Sequence, residues 1–173
     1  MSSKRITRGF FSLRFAGFAL IAAAIFVAVF AGAAWAMEVE YGGTFCGHSK
    51  QTMLQSSPEL KVFVSEAWAI EVPSSGADPW QKFSTHCLSI NLAEKGKRTS
   101  KGSCLWTSPE GDTFIGEYEN VPGQPGTWTF LSGTGKFAGV RGQGTFKILY
   151  GTKPFADQTG AFCAAHQGKY TLP

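Results

Sequence analysis

The sequence predicts an all-β protein, an eight-stranded antiparallel up-and-down β-barrel held by disulfides. Three observations carry that expectation. No segment after Ala36 has the apolar period of a helix, whereas short alternating or β-rich runs recur between Gly, Pro, Asp, Asn and Ser punctuation. The runs number eight and most connections are short, which suits a sheet that closes on itself and leaves no free edge. A glycine-dense stretch, Ser132 to Phe146, lies between two of the runs. Its glycines Gly133, Gly135, Gly139, Gly142 and Gly144 imply positive φ angles or close backbone approach. A β-sandwich is the structural alternative at this length.

The chain begins with a segment of a different kind. Lys4, Arg5, Arg8 and Arg14 form a basic start, and no charged residue follows from Phe15 to Met37. Ala34-Trp35-Ala36 fits the small-x-small pattern of signal peptidase cleavage. Residues 1–36 are therefore expected to be a signal peptide and 37–173 a single barrel domain. The competing expectation is an uncleaved anchor, since an uncharged run of this length spans a bilayer. Removing the first 36 of 173 residues leaves 137, enough for one domain with a core. It also removes four of the 16 basic residues and none of the 12 acidic ones, so the remaining domain is neutral. The sequence pI near 8.9 is thus no sign of a nucleic-acid partner.

The expected strands run in order Glu38 to His48, Glu59 to Val72, His86 to Leu92, Gly102 to Thr107, Asp112 to Glu119, Thr127 to Leu131, Gly144 to Tyr150 and Gln167 to Leu172. The long connections are Ser49 to Pro58 and Gly151 to Ala165. Ser108-Pro109-Glu110-Gly111 reads as a turn, and Val121 to Gly126 as a loop. The charged run Glu94 to Lys101 reads as a solubilising hairpin tip, with contact to an anionic lipid as the alternative.

Four cysteines, an even number, all follow the N-terminal segment, which suits an oxidising compartment. Barrel closure makes the first and last strands neighbours and so favours Cys46 with Cys163. The remaining pair, Cys87 with Cys104, joins the third and fourth strands. Bridged residues share one side of the sheet. With Leu88, Ile90 and Leu92 facing the lumen, Cys87 faces out and His86 faces in. Val62, Val64, Trp68, Ile70 and Val72 share one face of the second strand with Glu66. Glu66 and His86 are thereby expected to meet inside the barrel as candidate acid and base, or else as a register-fixing hydrogen-bonded pair. Trp68, Leu88 and Trp128 are candidate ligand-binding residues. With Ile90, Leu92 and Phe130 they would equally fill a small barrel.

Other motifs are weaker. Gly133-Thr134-Gly135-Lys136-Phe137-Ala138 fits GxGxxA, but no helix follows to receive a pyrophosphate. The stretch reads instead as a barrel turn in which Phe137 and Val140 tuck over the barrel end. His48, His86 and His166 share no metal-ligand spacing, and no CxxC exists, so no metal or other cofactor is expected.

The run GTGKFAGVRGQGTF resembles the glycine motif of the allene oxide cyclase and dirigent families. It is closer to small exported bacterial proteins with an allene-oxide-cyclase-like barrel. The order of a Cys-containing strand, the turn Pro109-Glu110-Gly111-Asp112, the glycine motif and the closing Gly168-Lys169-Tyr170-Thr171-Leu172-Pro173 is similar to theirs, over Gly102 to Pro173. The resemblance implies a barrel in the periplasm or outside the cell. Plant cyclases isomerise an unsaturated fatty-acid epoxide in the barrel, and dirigent proteins steer phenoxy-radical coupling. None of their catalytic residues is carried over to a position here, and the four cysteines depart from the intracellular cyclases. The expectations are a lumen that binds a small apolar or amphipathic molecule, an isomerase or cyclase, or a structural protein with a filled barrel. Oligomeric state is left open.

Overall fold

The computed structural model describes residues 37–72 and 82–173. The N-terminal basic and uncharged segment, with Ala34-Trp35-Ala36, lies outside the described residues.

Eight antiparallel strands close into a barrel in simple chain order. They are β1 (Met37–Ser56), β2 (Leu60–Val72), β3 (Ser84–Glu94), β4 (Lys97–Thr107), β5 (Thr113–Asn120), β6 (Gly126–Gly133), β7 (Arg141–Gly151) and β8 (Thr159–Leu172). The strands at the seam are longer than the sequence pattern suggests. β1 takes in most of the expected link from Ser49 to Pro58, and β8 begins inside the expected connection before Gln167. The β1 extension (SKQTMLQS) is mostly polar and the β8 extension (TGAFCAAH) mostly small, so neither shows a clear apolar alternation. Pairing makes them strands: β1 and β8 run in register from Met37 opposite Leu172 to Lys50 opposite Thr159.

Disulfides join Cys46 to Cys163 and Cys87 to Cys104. The first spans the seam between β1 and β8, and the second links the adjacent strands β3 and β4.

The facing of β2 and β3 is the reverse of the expectation. Leu88, Ile90 and Leu92 are on the solvent side, with Ile90 56% exposed, while Ser89 and Asn91 are buried. Cys87 therefore faces the interior, where its partner Cys104 belongs to the buried core. The shared side of the disulfide is as expected, but the side itself is inverted. The physical reason lies in what the interior holds. Small and hydroxyl residues line that part of the barrel and are satisfied by hydrogen bonds to the buried amide of Asn91, so an apolar row is not needed there.

An aromatic core occupies one end. Trp106 stacks on Phe114 with ring centroids 5.0 Å apart, Phe114 meets Phe130 edge to face at 4.7 Å, and Trp128 leans on Phe130 at 4.2 Å. The glycine-rich stretch closes this end. Gly135–Phe137 forms one 3₁₀ turn, which drops Phe137 and Val140 into the core at 6% and 1% exposure. Gly139 supplies the φ of 77° that lets the chain turn back into β7. At Gly144 a Cβ would lie 2.6 Å from Tyr41 Oη and 2.7 Å from Trp128 Cζ2, so only glycine lets both rings lie against β7.

Candidate functional site

Above the aromatic core the barrel is hollow. A cavity of about 390 Å³ runs from Trp106, Trp128 and Cys104 up to the exposed rim at Gly151, Thr152 and Pro154. Its wall combines two kinds of surface. Phe45, Phe146 and Phe162 with the two tryptophans give an apolar side. Ser65, Ser89 and Ser100 give a hydroxyl side.

The hydroxyl side is organised around Asn91, which is 1% exposed. Alternation in β3 places Asn91 inward, two residues from Ser89 and opposite Ser100 of β4. Its Nδ2 donates to Ser65 Oγ at 3.0 Å, to Ser89 Oγ at 3.2 Å and to the Phe63 carbonyl at 3.4 Å. Its Oδ1 accepts from Ser100 Oγ and from the Arg98 guanidinium, with Nη2 at 2.8 Å and Nε at 3.2 Å. The guanidinium also lies over the Phe63 ring, 4.8 Å from its centroid. Burial pulls the Arg98 pKa below its ordinary value, and nearby Tyr118 opposes that shift. Tyr118 is itself pushed up by burial, partly offset by a hydrogen bond with Ser89 and by the Arg98 charge.

At the foot of the cavity His166 contributes its imidazole. Its Nε2 lies 2.6 Å from Oε1 of Glu71, and both side chains are buried. Phe45 and Tyr41 flank the ring, with centroids 5.4 Å and 5.7 Å away. The Tyr41 hydroxyl is driven far above the ordinary phenol range by burial first, then by the charge of Glu71 and by Tyr170.

The pair expected in the lumen is elsewhere. Glu66 and His86 do meet, Oε1 to Nε2 at 2.9 Å, but on the outer wall with side chains 41% and 43% exposed. Trp68 stacks there between His86 and His48, with centroids 5.3 Å and 5.2 Å apart. The cause is parity: Glu66 and Glu71 are five residues apart on β2, so they take opposite faces of the sheet. Of the three candidate ligand-binding residues, Trp128 lines the cavity, whereas Trp68 and the exposed Leu88 lie outside. Ile90 and Leu92 are exposed too, so of the side chains expected to fill the barrel only Trp128 and Phe130 lie within it.

Sequence reasoning missed Glu71, Asn91, Arg98 and His166 as members of the site. Arg98 was hidden within a charged run that reads as a hairpin tip, and His166 fell between the expected connection ending at Ala165 and the expected strand starting at Gln167. Asn91 carried a usable signal, since Cys87, Ser89 and Asn91 alternate strictly with Leu88, Ile90 and Leu92. Among the described residues no three His, Cys, Asp or Glu side chains gather in a metal-holding group.

No family model matches the sequence, and no curated protein matches it. Solved structures do match the fold. The pterocarpan synthase dirigent protein GePTS1 aligns with a TM-score of 0.50 and 12% identity, over 80% of this chain and 94% of that one. The pterocarpan synthase dirigent protein PsPTS1 aligns at 0.49 and 13%, over 78% and 94%. The chain has the dirigent-like fold, a closed eight-stranded antiparallel barrel with two disulfides. Two disulfides are compatible with an oxidising compartment.

Proposed function

We propose that this protein is an exported barrel that binds a small amphipathic molecule in its lumen. The observation that carries the reading is the cavity of about 390 Å³, apolar and aromatic on one side, hydroxyl-lined on the other and reaching the rim. Small-molecule sites combine such apolar walls with a few placed polar groups. Export is supported by the basic start, the uncharged run and Ala34-Trp35-Ala36, together with the disulfides. N-terminal sequencing of protein made in a bacterial host with its full N-terminus checks that half, with Met37 as the expected first residue.

Binding is tested with 2-naphthylmethanol, a neutral aromatic probe that fits the cavity. Ala67 lines the wall, and A67W places an indole in the space the probe would take. Binding to the native protein that weakens at least about tenfold in A67W, while L88E on the outer wall leaves it unchanged, supports the lumen. Loss in L88E with A67W unaffected refutes it.

A second reading has one observation in its favour. An imidazole that lines a cavity and is oriented by a buried carboxylate is arranged for general acid–base work on a bound molecule. Deuterium uptake from heavy water at the α-carbon of bound 2-tetralone, faster with native protein than with H166Q, would support an isomerase-like activity. Equal rates exclude proton transfer by His166 on that probe.

A further inference from the structure

The cavity wall is electrostatically one-sided. Among the described residues that line it, Arg98 is the one permanent cation, His166 is already paired with Glu71, and no Asp or Glu lines the wall. Arg98 is held, not loose. Two of its nitrogens are fixed on Asn91 Oδ1, and its plane lies over Phe63. Asn91 is fixed in turn by Ser65, Ser89 and Ser100.

Arg98 nevertheless has no carboxylate partner among the described residues. The ion pairs there are His86 with Glu66, Lys136 with Glu110, His166 with Glu71, and Lys169 with Glu38 and Glu40. Its Nη1 makes no hydrogen bond to a described residue, although Nε and Nη2 are both engaged. Arg98 is solvent-exposed at the edge of the cavity. Yet a guanidinium oriented by a buried amide, packed over a ring and without a counter-charge among the described residues is prepared for an anion, because charge-assisted bonds to Arg are strong and directional. The space below it is walled by Trp106, Trp128 and Phe146, which suits an apolar or aromatic body.

We propose that Arg98 is a specificity-determining residue at which the lumen ligand's anionic end, a carboxylate, sulfonate or phosphate, is bound, with the ligand's apolar body on the tryptophans below. This rests on the lumen-binding reading and narrows it from any amphipathic molecule to an organic anion.

The test compares 2-naphthoate with 2-naphthylmethanol, which share a ring system and differ in charge. Calorimetric titration of the native protein should show naphthoate bound more tightly by about tenfold or more, the scale of a charge-assisted hydrogen bond. R98Q should abolish the preference, read as the ratio of the two affinities within that variant, whereas R98K should keep part of it. In case R98Q fails to fold, the native protein supplies its own readout. The Arg98 Nε–H resonance should shift with naphthoate and not with the alcohol, along with the Trp106 and Trp128 indole signals for both. Equal affinities for the two probes, or a preference that survives in R98Q, overturns the Arg98 assignment and leaves the lumen reading standing. Binding of neither probe overturns both.

Discussion

β2 carries two glutamates that each meet a histidine, one on either side of the barrel wall, and this permits a controlled comparison. Glu71 and His166 are enclosed, with side chains 1% and 5% exposed at 2.6 Å. Glu66 and His86 are in contact with water, at 41% and 43% and 2.9 Å. Glu71→Ala strips the carboxylate from an imidazole that water scarcely reaches, and removing one member of a buried pair costs about 3–5 kcal/mol. Glu66→Ala removes the same chemical group from a screened surface pair, for which about 0–1 kcal/mol is expected. The difference between the two variants, about 2–5 kcal/mol, is larger than the error of a urea titration. Unfolding of both variants should be followed by tryptophan fluorescence and circular dichroism, with the disulfides intact. If Glu66→Ala costs as much as Glu71→Ala, or more, the assignment of inner and outer faces on β2 is wrong, and the lumenal site with it.

Three further outcomes follow from the same geometry. The loops closed by the disulfides differ in length, 117 residues for Cys46–Cys163 and 17 for Cys87–Cys104. The chain-entropy relation then gives losses of about 5 and about 3 kcal/mol for the paired Cys→Ser variants, a ranking that urea midpoints will confirm or reverse. Gly139→Ala forces a side chain into φ 77° beside the Pro173 ring and should lower stability by about 1–2 kcal/mol, whereas Ala138→Gly in the same turn should cost less than 1 kcal/mol. Phe137→Ala removes the plug beneath Phe114 and should cost about 3–5 kcal/mol; a loss under 1 kcal/mol would show that the glycine turn does not seal the core.

Much of the architecture was legible in the residues. Turn punctuation at Pro109 to Gly111 and Val121 to Gly126 marks real strand boundaries, and closure of the barrel brings Cys46 to Cys163. The glycine stretch is a turn that buries Phe137 and Val140, and positive φ with close approach accounts for Gly139 and Gly144. Facing was not legible. Alternation in β3 divides Leu88, Ile90 and Leu92 from Cys87, Ser89 and Asn91, but a period of two says only that the sets oppose each other. Choosing the apolar set for the interior presumes a dry lumen, and this lumen is lined by hydroxyls that satisfy one another through Asn91. A disulfide fixes two residues to a common side without naming that side. The true lumenal Glu–His pair joins residues 95 positions apart on β2 and β8, a proximity that depends on barrel curvature and not on local pattern.

A ligand inside the barrel with its anionic end on Arg98 would touch one set of aromatic side chains and not the other. The most direct measurement is an isotope-filtered NOE experiment on the labelled protein with unlabelled 2-naphthoate. Contacts from the naphthalene protons to Trp106, Trp128 and Phe146 are expected, with a shifted Arg98 Nε–H. Contacts instead to Trp68, Leu88 and Ile90 on the outer wall, with the lumen signals unmoved, would contradict it.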